Sequence, residues 1–236
     1  AKALAVSRSM AIIEFTPEGI ILEANDNFCR ATGYTLDEIR GKHHRLFCED
    51  AYQRSIEYAQ FWKSLASGAP LSGTFSRLNK AGREIWLEAS YMPITDAGGQ
   101  VSSVLKVAAD ITDRINKEHE NQSIVNALSR SMAMIEFSPD GRVITANQNF
   151  LNTLHYSLAD IVGQHHSMFC RRSEAESAGY KAFWESLNRG EYHSRRFERV
   201  DKYGHTVYLE ASCNPIFDGK GRLYKVVKFA SDITAQ

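Results

Sequence analysis

The sequence predicts an α+β protein built from two copies of one domain, each a five-stranded antiparallel sheet with helices on one side. Three observations carry this. The chain repeats itself at an offset of 122 residues (Ser129 against Ser7), without a gap and with nearly half of the paired positions identical. Within each copy the apolar pattern runs from strand to helix and back to strand. Pro and Gly fall between those segments, where turns need them.

The repeat is visible as Ser7-Arg8-Ser9-Met10-Ala11 against Ser129-Arg130-Ser131-Met132-Ala133, and as Leu87-Glu88-Ala89-Ser90 against Leu209-Glu210-Ala211-Ser212. It places a first domain with an N-terminal flanking helix at 1–112, a helical linker at 113–128 and a second domain at 129–236. Ala11 to Phe15, Pro17-Glu18-Gly19 and Ile20 to Ala24 read as strand, turn, strand. Asn25-Asp26-Asn27 and Asn147-Gln148-Asn149 supply capping or turn residues. Thr35 and Glu38 form a capping box ahead of a short helix, and Ser157 with Asp160 forms a weaker one. A longer helix spans Ser55 to Ser67, and Ser177 to Arg189, ending at Gly68 and Gly190. Leu71 to Leu78, Glu84 to Ile94 and Val101 to Ala109 are strand-like and close the first copy. The segment Asp113 to Leu128 has no Pro or Gly and sets Asp113 four residues before Lys117, which supports a helix.

Lys and Arg number 28 against 28 Asp and Glu, so there is no global basic field to attract nucleic acid or anionic lipid. No apolar run approaches the roughly 18 to 20 residues of a membrane span, and no signal-peptide pattern opens the chain. A cytoplasmic location is the expectation. The four cysteines, Cys29, Cys48, Cys170 and Cys213, show no C-x-x-C spacing and are expected to be reduced. There is no Gly-rich phosphate loop, Gly-x-Ser-x-Gly elbow or His-Glu-x-x-His motif. Glu88 and Glu210 occupy equivalent strand positions in separate copies and are not expected to meet across one substrate. A binding and signalling module, not an enzyme, is expected, with no dedicated metal site.

Each copy resembles a PAS domain. The resemblance is carried by Ala24-Asn25 and Ala146-Asn147 after the second strand, Gly33-Tyr34 and His155-Tyr156, the Gly-x-His-His turns at Gly41 and Gly163, and Asp110-Ile111-Thr112 and Asp232-Ile233-Thr234 at the two ends. The segments His43-His44-x-x-Phe47-Cys48, Phe61-Trp62 and Tyr224-Lys225-Val226-Val227-Lys228-Phe229 make the pair similar to the sensory half of cytoplasmic methyl-accepting chemotaxis transducers of the aerotaxis and biofilm-dispersal type. The resemblance implies sensing of redox state, oxygen or a small ligand. It also implies a C-terminal methyl-accepting signalling domain, absent from this sequence, and through it a chemotaxis kinase complex.

The candidate cofactor-binding residues are Asn25, His43, His44, Trp62 and Trp86 in the first copy, and Asn147, His165, His166 and Trp184 in the second. Imidazole can ligate haem iron, with His44 or His166 as the alternative ligand, or hydrogen-bond a flavin. Equally, one histidine of each pair can cap a short helix while the other stands exposed. Trp62 and Trp184 match the tryptophan that flavin-binding relatives place beside the ring, or are core aromatics. Leu71-Ser72-Gly73 and Trp86 extend that likeness, which His193-Ser194-Arg195 and Tyr208 do not share. The resemblance therefore implies FAD in the first copy, haem as an alternative, or no cofactor. Where light-sensing relatives carry a photoreactive cysteine this chain has His44 and His166, so a flavin–thiol adduct is excluded there.

Two further expectations concern assembly and output. Ala3-Leu4-Ala5-Val6 and Ile124-Val125-Asn126-Ala127-Leu128 are apolar helical segments too short to be stable alone, which predicts a parallel homodimer or packing on the domain's own sheet. Asp110, Thr112, Asp232 and Thr234 form the junctions that in PAS relatives couple strand movement to the outgoing helix. Thr112 or Asp113 is expected to cap that helix, and Asp110 to pair with a basic group.

Overall fold

The computed structural model describes residues 9–235 and divides into two compact units, Ala1–Glu120 and Asn121–Gln236. The predicted α+β architecture holds in each. In the first unit the order is β1 (Ala11–Phe15), β2 (Ile21–Ala24), α1 (Asp26–Thr32), α2 (Leu36–Ile39), a 3-10 turn (His44–Phe47), α3 (Asp50–Gln53), α4 (Ile56–Ala66), β3 (Leu71–Leu78), β4 (Glu84–Thr95) and β5 (Val101–Asp110). The five strands form one antiparallel sheet in the order β2-β1-β5-β4-β3.

Strand alternation explains which face is covered. On β4, Ile85, Leu87, Ala89 and Tyr91 are buried, while the residues between them point to the other face. On β5 Val104, Lys106 and Ala108 are buried on that inner face, so a lysine stands in an apolar phase. The helices close over that inner face with Phe28, Ile39, Phe47, Phe61, Trp62 and Leu65.

Capping fixes where the helices begin. The Asn25 side chain accepts the N–H groups of Phe28 and Ile12, each at 2.9 Å, and donates to Met10 O, so it starts α1 and ties it to β1. Glu38 accepts the Thr35 N–H at 2.8 Å. Gly19, at φ 92°, has no room for a side chain: a Cβ would lie 2.8 Å from the Trp62 ring.

The helix α5 runs Thr112–Ser131 and buries none of its residues. It extends past the predicted linker at both ends. The second unit repeats the first: β6 (Ala133–Phe137), β7 (Val143–Ala146), α6 (Gln148–Leu154), α7 (Leu158–Ile161), a 3-10 turn (His166–Phe169), α8 (Arg172–Ala175), α9 (Ala178–Asn188), β8 (His193–Val200), β9 (Thr206–Phe217) and β10 (Leu223–Asp232). Its sheet order is β7-β6-β10-β9-β8. The box at Ser157 is as complete as the first: Asp160 accepts the Ser157 N–H at 3.0 Å. That bond and the Lys202 ammonium hold the Asp160 carboxyl down at about 2. Ala3 to Val6 lie outside the described residues.

Candidate functional site

The paired histidines divide two roles between them. His43 is the residue before the 3-10 turn; its Nδ1 accepts the Arg45 N–H at 3.0 Å, which leaves Nε2 protonated to donate to Glu18 O at 2.8 Å. It staples the β1–β2 turn to the 3-10 turn. The expectation that the second histidine stands exposed is overturned: His44 is 0% exposed. Antiparallel bridging of Ile20 with His43 commits the next side chain to the opposite, inward direction.

Around His44 lies a polar chain in an aromatic cage. Arg77 donates from Nη2 to the Tyr91 hydroxyl at 3.1 Å, the Tyr91 hydroxyl is 3.1 Å from His44 Nε2, and His44 Nδ1 is 2.9 Å from the Tyr58 hydroxyl. Because Arg77 only donates, Tyr91 gives its proton to Nε2 and Nδ1–H donates to Tyr58. Burial, reinforced by the nearby Arg77 and Lys106 cations, holds the His44 pKa well below its ordinary value, so the ring is neutral. Burial also pushes Tyr91 up to about 12, against the pull of Arg77. Cys48 Sγ lies 3.7 Å from His44 Nδ1, and burial raises its pKa, which keeps it a thiol.

Two basic side chains complete the interior. Lys106 is 1% exposed, with Nζ 4.8 Å above the Tyr91 ring, and Arg77 is 4% exposed, with its guanidinium 5.0 Å from the Phe75 ring centre. Arg77 Nε has no hydrogen-bond partner among the described residues. Cation–π contacts return about 0.5–2 kcal/mol each, less than the several kcal/mol of removing an ion from water. Burial, and then the neighbouring Arg77, pushes the Lys106 ammonium well below its ordinary pKa, so the permanent charge of the first domain's interior is Arg77, which forms no ion pair among the described residues.

The second domain keeps the frame and changes the chemistry. His166 Nδ1 is 2.8 Å from the Tyr180 hydroxyl, but Cys213 stands where Tyr91 would be and offers no phenol to Arg199. Arg199, 2% exposed, bonds Glu174 Oε1 at 3.2 Å instead. Lys228 lies 4.7 Å above the Phe197 ring. Its pKa is lowered from 10.5 to about 8, first by burial and then by Arg199.

The remaining predicted site residues scatter. Asn25 and Asn147 cap helices: Asn147 accepts the N–H groups of Phe150 and Met134 at 3.0 and 2.9 Å. Trp62 is 7% exposed and packs on Phe15 and His44. Trp86 does not join it, because β4 alternation sends Trp86 to the opposite face of the sheet. Trp184 is half-buried beside His165 at a surface cavity of about 390 Å³ that Pro139, Asp140 and Tyr180 also line. Asp110 accepts the Thr112 N–H at 2.9 Å and the Thr112 hydroxyl, and among the described residues it forms no ion pair, so Asp110 and not Thr112 or Asp113 starts α5. The Thr112 hydroxyl in turn accepts the Trp86 N–H at 3.0 Å. Thr234, Asp232 and Tyr208 N–H repeat this arrangement.

A flavin or haem does not fit this packing. The rings of Phe15, Phe47, Tyr58, Phe61, Trp62 and Tyr91 all lie 5.3–6.1 Å from the His44 ring, which leaves no slot beside Trp62. Both His44 nitrogens are engaged, so neither can approach an iron. The corresponding cleft lined by His166, Phe137, Arg199 and Lys228 is too narrow for a water molecule. The buried indole N–H groups of Trp62 and Trp184 make no hydrogen bond of normal geometry among the described residues and have the Tyr58 and Tyr180 hydroxyls nearby.

Arg77, Lys106, Tyr58 and Tyr91, the core of this arrangement, are absent from the residues picked from sequence. A signal was there: both basic positions fall in the inward phase of their strands and recur as Arg199 and Lys228.

Comparison with known proteins places this geometry. Residues 21–108 match the family model "PAS fold" and residues 131–235 match "PAS domain". The biofilm dispersion protein BdlA of Pseudomonas aeruginosa is 48% identical over 230 residues, which is 98% of this chain and 55% of that protein. The aerotaxis receptor of Escherichia coli is 29% identical over 96 residues, 41% of this chain and 19% of the receptor. A blue-light-activated histidine kinase of Brucella canis is 26% identical over 149 residues, 60% of this chain and 29% of the kinase. The chain spans about half the length of the first of these relatives and less of the other two.

Proposed function

The chain belongs to the PAS family in both halves, and from this premise we propose that it is the sensory portion of a chemotaxis-type transducer working in the cytoplasm. One observation carries the reading. Strand β4 bears both Tyr91, the hub of the buried chain, and Trp86, whose backbone N–H is held by Thr112 at the start of α5. A change in the cage that shifts β4 therefore pulls on the first turn of the outgoing helix. The same bond recurs between Tyr208 and Thr234 at the end of the second domain. No helix among the described residues is long and apolar enough to cross a membrane.

In this reading the signal leaves through a methyl-accepting signalling domain and a chemotaxis kinase. The similarity to an aerotaxis receptor and to a biofilm dispersion protein supports a sensory role with such an output. A homodimer follows from α5, which exposes Ile124, Val125 and Leu128 and buries nothing. Light scattering tests it, since a single-chain mass at high concentration would refute it. The transducer reading is tested by fusing this chain to the signalling domain of the E. coli receptor in cells lacking that receptor. Swimming bias that responds to an oxygen or small-molecule stimulus, and loses the response with Thr112→Val, is expected. A fusion that assembles yet answers no stimulus would count against it.

A second reading, flavin binding, draws on the blue-light relatives and on two buried indole N–H groups that lack a hydrogen bond of normal geometry among the described residues. It requires the cage to open. Refolding with excess FAD, and separately with haem, followed by desalting, tests it by the chromophore retained.

A further inference from the structure

The two domains solve one electrostatic problem differently. In the second, the buried Arg199 has a carboxylate of the chain, Glu174, 3.2 Å from its Nη1. In the first, the equally buried Arg77 forms no ion pair among the described residues, and the 122-residue offset puts Tyr52 where the second domain has Glu174. Tyr52 and Arg77 line a cavity of about 260 Å³, together with Thr74, Phe75 and Ser76. So the first domain has an uncharged Tyr52 in place of the counter-ion, and a cavity between it and Arg77's strand.

We propose that the first domain binds a small organic carboxylate in this cavity, the carboxylate taking beside Arg77 the place that Glu174 takes beside Arg199. Arg77 is suited to it: the group is permanently charged, 4% exposed, and its Nη2 is already fixed by the Tyr91 hydroxyl. Tyr52 and Phe75, whose rings lie 5.8 and 5.0 Å from the guanidinium carbon, offer apolar walls to the body of the ligand. The volume falls below the roughly 300 Å³ at which drug-sized sites begin, which restricts the ligand to small acids. Glu49, exposed and also on the lining, opposes a second negative charge, so monocarboxylates are favoured over dicarboxylates. Occupancy acts on Arg77 and hence on Tyr91, which makes this the input to the proposed sensory reading. The binding step itself is measured without reference to output.

The test is titration calorimetry of the full chain with sodium benzoate and sodium succinate at constant ionic strength, with sodium sulfate as the inorganic control. One saturable site per chain is expected, tighter for benzoate. Tyr52→Glu, which gives the first domain its own carboxylate, should weaken it at least tenfold while raising the melting temperature. Arg77→Met should abolish it, Glu49→Gln should tighten it several-fold, and Glu174→Gln should open a second, weaker site. Absence of saturable binding at millimolar acid would overturn the proposal. So would binding indifferent to a folded Tyr52→Glu variant, or equal binding of sulfate. Carboxylate binding with no change in α5 would leave this assignment standing and refute the sensory reading alone.

Discussion

Replacing Lys228 by methionine isolates the free energy of burying an ammonium group in the second domain. Lys228 is 2% exposed. It is faced by Arg199 on β8, Cys213 on β9, and Cys170 and Glu174 from the helical side, and the net result lowers its pKa from 10.5 to about 8. At 1.36 kcal/mol per pKa unit this amounts to about 3 kcal/mol. Between pH 8 and 10.5 the unfolded chain still holds a proton that the folded chain has released, so stability rises with pH through that window. Below pH 8 both states are protonated and the folded domain carries the full penalty. Methionine has a similar length and no charge, and it forgoes a cation–π contact of about 1 kcal/mol with Phe197. Lys228→Met should therefore stabilise the domain by about 2 kcal/mol at pH 7, a gain that vanishes near pH 10.5. Urea denaturation of both proteins at several pH values reads the difference. A variant less stable than wild type at pH 7, or a difference independent of pH, would mean that the buried ammonium does not carry this penalty.

Tyr91→Phe removes the hydroxyl shared by Arg77 and His44, leaves two buried polar groups unpaired, and should cost about 2–3 kcal/mol by chemical denaturation. A cost under about 0.5 kcal/mol would mean the chain is not formed. Asn25→Ala loses a helix cap and a β1 tether and should cost about 2 kcal/mol, with no change in carboxylate affinity measured calorimetrically. Gly19→Ala puts a Cβ 2.8 Å from Trp62 at φ 92°; a loss of about 2–4 kcal/mol, read with the shift in tryptophan fluorescence, is expected.

The fold was legible because its determinants are local and repeated. The Pro17-x-Gly19 turn, the Asn25 cap and the Thr35 box each act within a few residues, and the duplication displayed them twice. His43 as a helix cap was legible for the same reason. The role of His44 was not, because its partners Tyr58 and Tyr91 lie 14 and 47 residues away and meet it only once the sheet and α4 have packed. Trp86 misled because a tryptophan resembles a pocket residue whatever its strand phase. Arg77 and Lys106 were passed over because a basic residue in a strand ordinarily reads as solvent-facing. Counting phase from Val104 and Ala108 would have turned Lys106 inward.

Through β4 the buried hydrogen-bonded chain and the outgoing helix are mechanically one system. Amide hydrogen exchange across residues 112–131, compared between wild type, Tyr91→Phe and Tyr91→Phe with Thr112→Val, tests it most directly. Tyr91→Phe should change protection in the first turns of α5 by several-fold, more than its global destabilisation explains, and Thr112→Val should remove this effect. Protection in that helix that tracks only the global loss of stability, with or without the Thr112 hydroxyl, would contradict it.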